Sequence, residues 1–137
     1  MNKCPIFVDL FAGCGGLSLG LEQAGFYPIF VNELNKDAMN TYLRNRLEVN
    51  PYLEKYHSFD VKEMVLDTSY LNNLIHGFKD DYSVDVIKGE IDLIVGGPPC
   101  QGFSGIGHRR SYSVEKKQLP SNMLYQDMAY IISHLMP

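Results

Sequence analysis

FVDLFAGCGGLSLGLEQAG, residues 7–25, decides how this chain folds. Ile6 to Leu10 is a short apolar run of strand length, and Phe11-Ala12-Gly13-Cys14-Gly15-Gly16 is a glycine-rich turn. Leu17, Leu21 and Ala24 then recur at helical spacing, and Gly25 is placed to close that helix. Strand, glycine turn and helix together predict a nucleotide-type site, because glycines let backbone N–H groups approach a ligand at a helix N-terminus. A tight strand-to-helix turn without a ligand is the other reading of the same residues.

Outward from there the pattern repeats. Tyr27 to Val31 reads as a second strand ending at Asn32-Glu33, and Asn35 caps a helix to about Arg46 that carries Ala38, Tyr42 and Leu43 on one side. Asn50-Pro51 breaks the pattern, and Tyr56 to Phe59 is a short third strand ending at Asp60. Leu71, Leu74, Ile75 and Phe78 follow the i, i+3, i+4, i+7 rule and predict a helix, after which Lys79 to Lys88 reads as a polar surface excursion. Ile91 to Val95 is a buried-type strand. A polar stretch from Gly105 to about Ser121 follows, and Leu124, Met128, Ile131, Ile132 and Leu135 mark a last helix stopped at Pro137. Strands alternating with helices specify an α/β protein with a doubly wound, mostly parallel sheet of about four strands.

Bulk properties narrow the function classes. The 137 residues suffice for one domain and hold no run long and apolar enough for a membrane span. Three cysteines without CxxC spacing argue against a disulfide scaffold or a four-thiolate metal site, and for a reduced, cytoplasmic setting. A net charge of −4 argues against non-specific grip on a polyanion by this stretch alone.

Two acids and one thiol carry the chemistry. Glu33 lies at the end of the second strand, eighteen residues beyond Gly15, where an acid accepts hydrogen bonds from both hydroxyls of a ribose. The third glycine of the dinucleotide pattern is replaced by Ser18, and no Lys-Ser/Thr pair follows the turn, so a ribose-bearing ligand without a pyrophosphate fits better. Asp60 ends the third strand and, with Glu33, faces one crevice; a solvated or helix-capping carboxylate is the alternative for both. In Asp92 to Ser104, DLIVGGPPCQGFS, two glycines and two prolines stop a strand and deliver Cys100 at its carboxyl end, where open α/β sheets place reactive groups. From the residues alone Cys100 is either a nucleophile or a small buried hydrophobe.

In combination these segments resemble the C5-cytosine DNA methyltransferases. The matching residues are FVDLFAGCGG (7–16), VNE (31–33), FDV (59–61), GGPPCQGFS (96–104) and NMLYQDMAYII (122–132), in the family's order and over nearly the whole chain. The resemblance implies the Rossmann-like methyltransferase fold and S-adenosylmethionine as cofactor, with Phe11, Ala12, Gly13 and Gly15 around it and Glu33 on its ribose. Asp60 and Val61 would contact the adenine, and Pro99 and Leu124 would line the pocket. It also implies that Cys100 attacks C6 of a cytosine flipped out of double-stranded DNA, making C5 enamine-like so that it takes the methyl group. A base then removes the C5 proton and the thiolate is eliminated. Gln101, Ser104, Arg109 and Arg110 would lie on a loop closing over the DNA; for the two arginines a solvated charge cluster is the alternative. No metal is implied.

The family's pattern continues past this stretch with a Glu-Asn-Val strand, an arginine-rich motif and a target-recognition domain, none of which occurs in these residues. Gln118-Leu119-Pro120-Ser121-Asn122 also departs from the family's usual Asp-Pro-Arg-Asn. The expectation is therefore that residues 1–137 are the N-terminal part of a catalytic domain, completed by a second polypeptide or a C-terminal half, and show negligible transfer alone. The alternatives are a tRNA cytosine-5 methyltransferase of the same family and a non-catalytic cofactor-binding or subunit-interaction fragment.

Overall fold

The computed structural model describes residues 3–99 and 123–135. Four parallel strands form one sheet in the order β3-β2-β1-β4, with β1 at Ile6–Leu10, β2 at Tyr27–Asn32, β3 at His57–Ser58 and β4 at Leu93–Gly96. All five residues of β1 are buried, as a parallel strand covered on both faces requires. Ile6, Val8 and Leu10 join a core with residues of α3 (Val61–Leu66), α4 (Thr68–Tyr82) and α5 (Leu124–Leu135). A second cluster joins Val31 to Met39, Tyr42 and Leu43 of α2 (Lys36–Arg44) and to Leu53.

Local chemistry sets the helix ends. α1 spans Gly16–Gln23 and stops in a Schellman arrangement: Gly25, at φ +91°, donates to the Glu22 carbonyl and Phe26 to that of Leu21. Asn35 caps α2, its side chain accepting from Asp37 N and Ala38 N at 2.9 and 3.0 Å. Register in β2 shifts by one residue between the partners of Phe7 and Val8, so Phe30 rather than Ile29 lies opposite Val8. Pro28 is tolerated there because β3 pairs only with Val31 and Asn32; the Pro28 carbonyl instead accepts from Asn50 Nδ2 at 2.7 Å.

One expectation needs correction, and one element was not foreseen. Lys79 to Lys88 is not an excursion: α4 continues to Tyr82, and Val84 and Val86 are buried in the core. Charged neighbours (Lys79, Asp80, Asp81, Asp85 and Lys88) disguised the buried Val84 and Val86 that follow α4. Between Asp60 and Asp67 the chain forms α3, which is too short to show a helical period. Among the described residues β4 pairs with β1 alone and each of its residues is partly exposed. α5 is tied to α3 by Lys62 Nζ and Asp127 Oδ2 at 2.7 Å.

Candidate cofactor site

The carboxyl ends of all four strands open into one cavity of about 470 Å³, lined by Phe11, Gly13, Asn32, Glu33, Leu34, Asn35, Phe59, Asp60, Val61, Gly97, Pro99 and Leu124. Seven of the nine residues expected around a cofactor line it: Phe11, Gly13, Glu33, Asp60, Val61, Pro99 and Leu124. Ala12 and Gly15 do not. Ala12 packs against the α2 cluster, and Gly15 turns its back to the cavity and meets Tyr42 and Arg46. Cys100, Gln101, Ser104, Arg109 and Arg110 lie outside the described residues.

The glycine turn is built from left-handed residues. Phe11, Gly13 and Gly15 have φ of +57°, +59° and +93°. For Phe11 that conformation costs about 1–2 kcal/mol. The strain is offset by its ring packing on the β1 core and by its N–H donating to Asn32 Oδ1 at 3.4 Å. The outcome is a Gly13 N–H that points at Glu33 and donates to Oε2 at 2.7 Å, while Oε1 accepts from Asn35 N at 2.9 Å. Each oxygen thus uses one lone-pair site for the backbone and keeps another for a ligand. Glu33 is held at the junction of the turn and the N-terminus of α2.

Asp60 does two things at once. It caps α3 by accepting from Lys62 N on Oδ1 at 2.9 Å, and it also lines the cavity. Asn32 is the residue whose importance the sequence did not announce. Buried at the end of β2, it bonds Phe11 N through Oδ1, and through Nδ2 it donates to Ser58 Oγ at 3.0 Å and to the Phe59 carbonyl at 2.9 Å. It therefore ties together the ends of β1, β2 and β3.

The lining includes two carboxylates, Phe11, Phe59, Leu34, Val61 and Leu124, and no Lys, Arg or His among the described residues. Such a wall suits a hydroxyl-bearing, cationic ligand with a flat apolar portion and disfavours a phosphate, which would meet negative charge without a compensating cation.

Behind the turn, Asp9 is 1% exposed and accepts from Ser18 Oγ at 2.6 Å; Ser18 in turn lies 2.8 Å from Tyr42 Oη. Burial pushes the Asp9 carboxyl from an ordinary 3.8 up to about 6, against the opposing pull of the Ser18 hydroxyl and Arg46. Burial likewise pushes the Tyr42 phenol up to about 12. Because the folded-state value of Asp9 is raised, its contribution to stability is complete below pH 3.8 and is lost as pH rises through about 6. From about pH 5 to about pH 7.5 the wild-type chain should lose about 1.4 kcal/mol relative to Asp9→Asn. Urea unfolding of both proteins at the two pH values measures this; a difference independent of pH contradicts it.

Similarity to known proteins follows the same outline. Residues 6–137 match the family model described as C-5 cytosine-specific DNA methylase. The chain is 34% identical over 103 residues to Type II methyltransferase M.AgeI of Thalassovita gelatinovora, covering 75% of this chain and 20% of that protein. It is 32% identical over 130 residues to Type II methyltransferase M.DdeI of Desulfomicrobium norvegicum, covering 95% of this chain and 25% of that one. A crystal structure described as a prophage-encoded DNA modification methyltransferase of E. coli aligns with a TM-score of 0.60 and 31% identity, covering 97% of this chain and 30% of the other. The chain thus spans about a fifth to a third of these proteins. Among the described residues no helix is long and apolar enough to cross a membrane.

Proposed function

Since the chain belongs to the C-5 cytosine-specific DNA methylase family, we propose that its cavity binds S-adenosylmethionine and that it forms the cofactor-binding and nucleophile-bearing part of a DNA cytosine-5 methyltransferase. The observation that carries this reading is the Glu33 carboxylate, fixed by Gly13 N and Asn35 N inside a cavity whose lining, among the described residues, has no basic side chain. A ribose whose two hydroxyls donate to Glu33 fits that geometry, and the anionic wall favours a sulfonium. Phe11, Phe59, Val61 and Leu124 supply apolar surface for an adenine, and Asp60 an acceptor for its amino group.

Bound there, S-adenosylmethionine supplies an electrophilic methyl group. The chain supplies the rest of this half of the reaction. Gly97 and Pro99 line the cavity after β4, and Cys100 is the next residue in sequence. Its thiolate is the proposed nucleophile towards C6 of a cytosine in duplex DNA, with Gln101, Ser104, Arg109 and Arg110 on the DNA-facing segment. Further polypeptide supplies the acid that assists attack and the reading of target sequence, in keeping with the greater length of the relatives. We place the protein in the cytoplasm; Cys4 and Cys14 are free thiols.

The direct test, on the enzyme completed by that further polypeptide, is transfer of labelled methyl from S-adenosylmethionine to cytosine C5 in duplex DNA, with tRNA as the competing substrate; exclusive labelling of tRNA overturns the DNA assignment. For the cavity, Glu33→Gln should weaken S-adenosylhomocysteine binding about a hundredfold, because charged acceptors are lost and one amide nitrogen must face a backbone N–H. Calorimetric titration measures it, and an unchanged affinity removes Glu33 from the site.

A further inference from the structure

Arg46 stands two residues past the end of α2, in the polar run Arg44-Asn45-Arg46, and is only 7% exposed. Nε and Nη2 donate to the two carboxylate oxygens of Glu22 on α1 at 2.9 and 2.8 Å. Nη1 donates to the Tyr42 carbonyl, and the guanidinium carbon lies 3.9 Å from the centre of the Tyr42 ring. The remaining bond runs from Nη2 to the carbonyl of Gly15 at 3.2 Å. Burying a guanidinium is costly unless its donors are used, and joining α1 to α2 alone needs no charge.

Gly15 is where this bond acquires a purpose. Its N–H donates to the Ala12 carbonyl at 3.1 Å, closing the turn, and its carbonyl also accepts from Leu19 N at 2.9 Å, opening α1. The peptide held by Arg46 is thus the back of the turn whose front presents Gly13 N–H to Glu33. We propose that Arg46 is a positioning residue for the cofactor cavity: by holding the Gly15 carbonyl against α2 it fixes the turn, and through Gly13 the direction of the Glu33 carboxylate. This rests on reading the cavity as the cofactor site. Arg46 is not among the described residues that line the cavity, so its effect is one of preorganisation.

The test compares Arg46→Met and Arg46→Lys with Asn50→Ala in the same chain. Asn50→Ala breaks a buried bond to the Pro28 carbonyl, near the start of β2, and leaves in place the backbone bond from Asn50 N to the Arg46 carbonyl. The readouts are amide hydrogen exchange at Gly13 and Gly15 without ligand, and titration with S-adenosylhomocysteine. Arg46→Met should speed exchange at both glycines and weaken binding about tenfold, with Arg46→Lys intermediate and Asn50→Ala changing only overall stability. Wild-type exchange and affinity in Arg46→Met overturn the proposal, as does an equal loss of both in Asn50→Ala. Should Arg46→Met fail to fold, Arg46→Lys decides on the same readouts, since its ammonium cannot replace the planar fork. If the wild type binds no S-adenosylhomocysteine while Arg46→Met still speeds exchange at Gly13, the cofactor reading fails and the anchoring of the turn stands.

Discussion

Replacing Cys100 by alanine is expected to lower methyl transfer to cytosine in DNA by about four orders of magnitude or more. Binding of S-adenosylhomocysteine should stay within about twofold. The reason is chemical. Cytosine C5 is a poor nucleophile until a group adds at C6. A thiolate is nucleophilic enough to form that S–C6 bond and stable enough to leave once C5 has taken the methyl and lost its proton. Alanine offers no substitute, whereas Phe11, Gly13, Glu33 and Asp60, the proposed cofactor contacts, line the cavity from positions well upstream in sequence. The measurement is labelled-methyl incorporation in a preparation whose wild-type counterpart is active, paired with trapping on DNA containing 5-fluorocytosine, whose C5 substituent cannot depart as a proton. Peptide mapping should find the adduct on Cys100. Cys4 and Cys14 are exposed thiols and serve as internal controls; an adduct on either, or more than about one per cent of wild-type transfer by Cys100→Ala, refutes the assignment.

The second large effect is steric. A Cβ at Gly15 would stand 2.6 Å from Tyr42 Cδ2 and 2.8 Å from Arg46 Nη1, at a φ of +93°. A Cβ at Gly13 would meet nothing within 4 Å, at a φ of +59°. Both alanine variants incur left-handed strain of about 1–2 kcal/mol. Gly15→Ala adds overpacking against two immobilised side chains, for a total of about 3 kcal/mol or more. Urea unfolding should therefore rank Gly15→Ala well below Gly13→Ala, with Gly15→Ala also losing cofactor affinity as Arg46 is displaced. Equal losses for the two variants would show that backbone strain alone governs the turn.

Much of this architecture was legible in local pattern. Apolar runs bounded by glycine, asparagine and proline marked β1, β2 and β4. Side-chain capping at Asn35 and the closing glycine at Gly25 are chemistry confined to a few neighbouring residues, so they survive into the structure unchanged. The place of Glu33 at the mouth of the cavity was legible because it follows the second strand directly, and a strand's carboxyl end is fixed by local pattern. α3 was not, since six residues are too few to display a period, and neither were the buried Val84 and Val86, which charged neighbours disguised. Asn32 escaped notice because its three partners come from strand ends that sequence separates by 21 to 27 residues.

Gly15 marks the division between the two kinds of knowledge. Local pattern suffices to say that a glycine turn joins β1 to α1, that Glu33 and Asp60 end the next two strands, and that Cys100 follows the fourth. Only the packing of α1 against α2 decides that Gly13 faces the cavity while Gly15 faces away from it, held by an arginine 31 residues distant. The same packing buries Asp9, whose second oxygen has no partner among the described residues, and that burial raises its pKa. Periodicity and caps depend on neighbours along the chain, whereas desolvation and long-range hydrogen bonds depend on which surfaces meet, and that is set by the whole core at once.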